Sequence, residues 1–231
     1  MWAKKSPTFT RRWFASYQKT YIERDVRDVS RSIDLIPFSK LLELSALRTA
    51  NLQVLSSMAQ DVGIDQRTVS RYLGILELTF QVNHLTPWFA NVSKRLIKSP
   101  KIFVNDVGAT CFYHQIKGSE ELWSYKSLGA LGETWLWGEL RKQLVFSPGI
   151  IANFYRTHQG REIDFVLTSG TKLAGIELKW SSSVSPSDFN GLKDFVDATS
   201  ENTQGMVLYL GDEVVSFGAN LVALPLRVLL L

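Results

Sequence analysis

The chain reads as a mixed α/β protein of the α+β kind, with an N-terminal helix-turn-helix region followed by a mixed sheet flanked by helices. Three observations predict this. Residues 54–80 carry two apolar stripes at helical spacing, separated by a glycine. Residues 153–180, NFYRTHQGREIDFVLTSGTKLAGIELKW, alternate apolar and charged positions at the two-residue period of strands. Helix-like stretches flank that segment, and an apolar run fit for a buried strand follows at 205–210. A chain of 231 residues that is 45% hydrophobic and 12% aromatic can bury two modest cores.

Taken in order, residues 4–31 are polar and basic, with Trp13, Tyr17 and Tyr21 four apart. This is the spacing of an amphipathic helix whose stripe must pack on something. No partner for the stripe is evident within the sequence, so self-association or docking onto a separate protein is expected of it. Ile36, Pro37 and Phe38 open a second helix with Leu41, Leu42, Leu44 and Leu47 as its apolar positions. In 54–80 the first stripe is Leu55, Met58, Ala59 and Val62. Gly63 breaks that helix and Asp65 can cap the next, whose stripe is Val69, Tyr72, Leu73 and Leu76. The residues left facing outward are Gln66, Arg67, Ser70 and Arg71, a set able to reach phosphates and base edges. Residues 80–85 and 101–105 read as two strands of a hairpin, and the tip between them holds Lys94, Arg95 and Lys98. The region resembles a winged helix, which implies either DNA binding or protein contact and spacing. A phosphate role predicts affinity that falls steeply with salt. Asn51 and Asn83 suggest no role.

Residues 129–144 form a helical pattern in which Leu136, Leu140 and Leu144 fall on one side with Glu133 beside them. In 161–167, Ile163, Phe165 and Leu167 share one strand face while Glu162 and Asp164 share the other. In 175–180, Ile176, Leu178 and Trp180 oppose Glu177 and Lys179. If the two runs are adjacent strands, Asp164 and Glu177 converge beside one lysine. Two such carboxylates repel and call for a cation between them. Mg²⁺ held by one or two carboxylates and a carbonyl such as that of Leu178 keeps room for a phosphate, and Lys179 can steady the attacking water or the charge on the phosphate. The same residues also describe solvated strand faces with cross-strand ion pairs. Ser185, Pro186 and Asp188 suit the cap, first and third positions of a helix running to about residue 198. The apolar stretch 221–231, interrupted by Pro225, is expected to be a closing strand or packed tail.

The order helix, strand, strand, strand, helix, strand around Asp164 and Glu177-x-Lys179 resembles the PD-(D/E)xK nuclease-like superfamily. The resemblance implies a restriction-endonuclease-like sheet with Asp164, Glu177 and Lys179 as its core signature and Glu133 as its helix acid. It therefore implies catalytic roles for those four residues and Mg²⁺ or Mn²⁺ ligation by Asp164, Glu177 and Glu133. Members without nuclease activity also exist. The runs TYIERDVRDV, KSPKIFVNDVG, FYRTHQGREIDFVL and GIELKWS, occurring in this order, are similar to the C-terminal half of prokaryotic AAA-type ATPases whose last region is domain of unknown function 4143. That family implies a P-loop ATPase, then a winged helix, then the nuclease-like domain. No Gly-x-x-x-x-Gly-Lys-Ser/Thr occurs here, so no ATP site is expected in this polypeptide, which is expected to be a fragment, a shortened product or a stand-alone relative.

Residues 1–128 hold 18 Lys and Arg against 11 Asp and Glu, a net of +7, while residues 129–231 carry −3. A basic first half points to a nucleic-acid partner, DNA above all, and an acidic second half to a metal-binding surface. One cysteine, Cys111, excludes an internal disulfide and suggests a reducing compartment. His84, His114 and His158 lack zinc-ligand spacing. With no apolar stretch of about 18 residues and no signal core, a cytoplasmic protein without membrane contact is expected. The expected divisions are 1–33 as a helix from the ATPase side, 34–110 as the winged helix and 111–231 as the nuclease-like domain. Three functions stay open: a nucleic-acid-binding or regulatory module of an ATPase, a metal-dependent DNA nuclease, and an assembly domain with a relic site.

Overall fold

A computed structural model describes residues 6–29, 32–89, 99–157, 160–199 and 202–230. The chain divides into two compact units, the first comprising Met1–His84 and Ile102–Thr134, the second Leu85–Lys101 and Trp135–Leu231.

The first unit is helical. Ser6 caps α1 (Pro7–Thr20), its hydroxyl accepting the Phe9 N–H, and Pro7 supplies a first position that needs no donor. A π-turn at Tyr21–Asp25 leads into α2 (Val26–Val29), and Asp34 caps α3 (Leu35–Leu47). The helix-turn-helix pattern folds as its residues predict. The chain leaves α4 (Leu55–Val62) through Gly63, whose φ of 81° suits a residue lacking Cβ. Asp65 then accepts from the Thr68 N–H to start α5 (Gln66–Leu78). Phe38, Leu41, Met58, Val69, Tyr72 and Leu76 close one core with Tyr21 and Val26. Leu47, counted among the apolar positions of α3, is instead 44% exposed, because the core lies on the Phe38, Leu41, Leu42 side.

The predicted hairpin strands form within a three-stranded sheet ordered β1-β3-β2, from β1 (Asn51–Leu52), β2 (Val82–Leu85) and β3 (Lys101–Val104). Its tip residues Lys94, Arg95 and Lys98 lie outside the described residues. Asn83 has a role after all: its side chain hydrogen-bonds Asn105, whose amide donates to the Phe80 carbonyl at 2.6 Å. Three helices follow: α6 (Val107–Tyr113), α7 (Ser119–Trp123) and α8 (Leu128–Val145).

Of the aromatic stripe Trp13, Tyr17 and Tyr21, Tyr21 is the member buried in the core of its own unit. The packed side of the helix is Phe14 and Tyr21, a slightly rotated line from the one the spacing suggested. Phe14 lies so close to Gly108 that a Cβ there would meet its ring at 2.8 Å, and the buried Tyr21 hydroxyl hydrogen-bonds Thr79 at 2.6 Å. Trp13 and Tyr17 remain about two-fifths exposed.

The second unit is a six-stranded mixed sheet ordered β4-β5-β6-β7-β9-β8, from β4 (Ile151–Arg156), β5 (Glu162–Ser169), β6 (Lys172–Lys179), β7 (Thr203–Tyr209), β8 (Val215–Gly218) and β9 (Leu221–Pro225). The first three strands run antiparallel, and β6, β7 and β9 are parallel. Of the stretch from 221, Leu221–Pro225 is strand β9, lying between β7 and β8, and Leu226–Leu230 continues as a 3₁₀ turn. The edge strand β8 had no sequence signal, since four residues with half-exposed Val215 and Phe217 offer little alternation. Helix α9 (Asn190–Ala198) follows a 3₁₀ turn whose capping box is Ser185 and Asp188.

Both faces of the sheet are covered. Trp137 of α8 stacks on Phe165 with ring centroids 5.8 Å apart. Leu192 and Phe195 of α9 pack with Val166 and Val207, on the face that alternation gives to Asp164, Glu177 and Lys179. Gly175 and Gly205 are register partners on β6 and β7, and together they make a depression for Leu192. A Cβ at Gly205 would lie 3.0 Å from Leu192 Cβ and 2.7 Å from Leu221 Cδ2.

Candidate functional site

The carboxylate site is built by strand pairing. β5 and β6 pair antiparallel with Phe165 opposite Ile176, and one further step of that register sets Asp164 opposite Glu177. There the carboxylate takes over the role of a strand carbonyl, its Oδ2 accepting the Leu178 N–H at 2.9 Å. Glu177 is 13% exposed at its side chain, and its Oε2 lies 3.9 Å from Lys179 Nζ. The strand pairing thus makes Asp164 and Glu177 cross-strand neighbours, with Lys179 beside Glu177. Glu133, on α8, belongs to the first unit and is half-buried. Among the described residues no group of three or more His, Cys, Asp or Glu side chains is gathered so as to hold a metal ion.

Sequence reasoning missed Lys101. Only 2% exposed, it opens β3 and pairs through Nζ with Glu162, and the same nitrogen lies 5.5 Å from the centre of the Phe154 ring. Glu162 also has Arg156 NH1 at 3.6 Å. Lysine is almost never this buried unless paired, so the ion pair and the ring face compensate its lost hydration. The one sequence signal was a lysine opening the apolar run Ile102, Phe103, Val104, which any strand flank can show.

The Asp164 carboxyl lies deep among protein atoms, although part of the residue still reaches solvent. Burial pushes it above its ordinary value of 3.8, a push opposed by the Lys101 ammonium, the Leu178 N–H and Lys179, and assisted by Glu162. A buried carboxyl between lysines is the kind of perturbed group that gathers at functional sites.

Beside Glu177 and Lys179 opens a pocket of about 840 Å³, walled by the start of α9. Its lining holds Glu162, Glu177, Asp188, Asp194 and Asp197 against Arg161, Lys179 and Lys193. Arg161 pairs with Asp194, and Asp188 is spent in the cap of the helical turn. The excess of acid makes this pocket repel a bare phosphate and favour a cation.

The other predicted site is the outer face of α5. Gln66, Arg67, Ser70 and Arg71 are all exposed, while Val69, Tyr72, Leu73 and Leu76 are buried beneath them. The Arg71 guanidinium carbon lies 5.2 Å from the Tyr72 ring centre, which lets the ring support it at the surface. The histidines make ordinary contacts: His84 pairs with Glu77 at 3.1 Å, and His114 bridges the Tyr125 hydroxyl and the Ala46 carbonyl. His158 lies outside the described residues. Among the described residues no helix is long and apolar enough to cross a membrane.

Comparison with known proteins divides the chain at the same place as the charge. The family model described as Domain of unknown function (DUF8612) matches residues 1–120. A second, described as Domain of unknown function (DUF4143), matches residues 128–229. The latter match is shorter than the four-motif resemblance suggested, since the motifs at 20–29 and 98–108 fall in the first model. Two uncharacterized proteins, one of Mycobacterium bovis and one of Mycobacterium tuberculosis, are each 28% identical over 230 residues, covering 95% of this chain and 50% of their own. The chain spans about half the length of these curated relatives. No solved structure matches it.

Proposed function

From the premise that this chain belongs to the DUF8612 family, whose description names no activity, we propose that it is a nucleic-acid-binding module whose α5 face contacts duplex DNA. The observation that carries this reading is the capped helix-turn-helix with Arg67 and Arg71 exposed on one side and the core closed on the other. Two guanidiniums flanking Gln66 and Ser70 suit phosphate contact with base-edge reach. The winged-helix likeness, the basic first half and the tip lysines support the same partner. In this reading the module regulates or targets a P-loop ATPase, and ATP is hydrolysed on that domain. Fluorescence anisotropy with a labelled duplex tests it. Arg67→Ala with Arg71→Ala is expected to weaken binding and to flatten the log–log salt dependence by about 1.8, two phosphate contacts at ~0.9 each. Unchanged affinity and slope would sink the reading.

A second reading rests on a different observation, the opposition of Asp164 and Glu177 beside Lys179. The donor set fits a hard divalent ion that takes two carboxylates and completes its shell with water. Asp164 and Glu177 would hold Mg²⁺ or Mn²⁺, which when bound supplies Lewis acidity toward a phosphodiester and acidifies water. The chain's own groups set the rest. The Leu178 N–H fixes the Asp164 carboxylate, Lys101 ties down Glu162, and Lys179 places a cation where charge would build on a phosphate. Calorimetric titration of Mn²⁺ into the wild type and Glu177→Ala, beside cleavage of single- and double-stranded DNA, separates the outcomes. Binding that needs Glu177, with cutting, makes this a nuclease. Binding without cutting gives the ion a regulatory role, and no binding leaves the carboxylates as part of an assembly domain.

A further inference from the structure

Resting on the α5 reading above, we infer that this helix selects duplexes bearing thymine, through a close approach at Gly74 and an apolar end made of Leu78 and Phe80. The group selected is the C5 methyl of thymine, which uracil lacks. At 3.6 residues per turn, Arg67, Arg71, Gly74 and Leu78 fall within about 60° of one another, and the buried Val69, Leu73 and Leu76 lie on the opposite side. The outward line begins cationic and ends apolar. Two residues here cost stability and gain no packing within their own unit. A Cβ on Gly74 would meet no atom within 4 Å, so the glycine makes room for no neighbour, yet inside a helix it is worse than alanine. Phe80, just past the helix, holds a left-handed φ of 58° that favours glycine, and it is 77% exposed. The Asn105 amide fixes that turn by donating to the Phe80 carbonyl at 2.6 Å. Leu78 is 66% exposed.

Charge and shape decide the partner. The outward line holds two guanidiniums and no carboxylate, and the one acid of α5, Glu77, has His84 Nδ1 at 3.1 Å. A wholly apolar protein groove would strip water from Arg67 and Arg71 and offer them no acceptor. The DNA major groove serves both ends of the line. Guanine O6 and N7 and the phosphates accept from guanidiniums, and the thymine C5 methyl is the apolar group displayed there. Between them Gly74 leaves the helix backbone free to approach the base edges. Eleven residues at 1.5 Å each set Leu78 about 16 Å along the axis from Arg67, about five base pairs at 3.4 Å. The major groove of A-form RNA is too deep and narrow to be read this way.

The experiment is fluorescence anisotropy of the full chain with two labelled duplexes, alternating dA-dT and the same duplex with dU in place of dT. Wild type is expected to bind the uracil duplex more weakly, by about fourfold for each methyl buried. Leu78→Ala with Phe80→Gly removes only exposed groups and is expected to bind both duplexes alike, whereas a preference set by duplex shape would survive in this variant. Gly74→Leu is expected to raise the thermal midpoint while weakening both duplexes on the order of tenfold, the scale of one lost base contact. Thymine selectivity is refuted, with the α5 reading left standing, if wild type binds both duplexes equally or if Leu78→Ala with Phe80→Gly keeps the preference. Gly74→Leu binding as tightly as wild type refutes the close approach. Wild type that binds neither duplex overturns the α5 reading and this selectivity together. A dimer in sedimentation that Leu78→Ala with Phe80→Gly dissolves would assign the apolar end to a second copy of the chain and overturn the selectivity as well.

Discussion

The pair of Lys101 and Glu162 carries an asymmetric cost that can be worked from exposure. Lys101 is 2% exposed and Glu162 30%. Removing one partner of a fully buried ion pair costs about 3–5 kcal/mol, because the other charge is left unpaired. Lys101→Met keeps most of the stem volume and strands Glu162, which still has solvent and Arg156 at 3.6 Å. Its cost falls to about 1–2 kcal/mol. Glu162→Gln leaves the Lys101 ammonium with almost no access to water and the Asp164 carboxyl as its remaining acidic neighbour, and a cost near the lower end of the buried range, about 3 kcal/mol, is expected. In the double variant neither charge remains unpaired, so the double should cost less than the sum by about 1.5–3 kcal/mol. Urea denaturation followed by tryptophan fluorescence reads this as midpoints. With a slope of about 2 kcal/mol/M, Glu162→Gln should fall by roughly 1.5 M and Lys101→Met by about half that. Equal losses, or a double variant at the sum of the singles, would refute a coupled buried pair.

Two further outcomes are expected. The raised Asp164 carboxyl means that the folded chain holds this proton more tightly than the unfolded one, so its contribution is full below about 3.8 and is lost as pH rises through the higher folded value. Asp164→Asn should therefore melt above wild type at neutral pH without divalent ions, with the difference shrinking as pH falls toward 4; a constant difference would contradict the burial argument. Gly205→Ala forces a methyl against Leu192 Cβ and Leu221, and a loss of about 1–3 kcal/mol, seen as a lower thermal midpoint, should follow.

Much of the fold was legible because local chemistry fixes it. Gly63 and Asp65 punctuate two apolar stripes, and no distant residue is needed to place that turn. Alternation in residues 162–179 set the side of each strand on which Asp164 and Glu177 stand, since a strand has only two faces. The four-residue spacing of Trp13, Tyr17 and Tyr21 did not tell which member of the line is buried, because the positions of Gly108 and Thr79 set the packed side of the helix.

The sequence by itself determined the two helices of residues 54–80, the caps at Asp65 and Ser185, and the strand faces on which Asp164, Glu177 and Lys179 stand. Only the tertiary structure decided that Asp164 is buried, that Lys101 lies beneath solvent's reach against Glu162, and that an acid-rich pocket opens at the start of α9. Periodicity encodes direction along one element, whereas burial and charge pairing depend on which distant element arrives opposite, and residues 101 and 162 meet only after the sheet has formed.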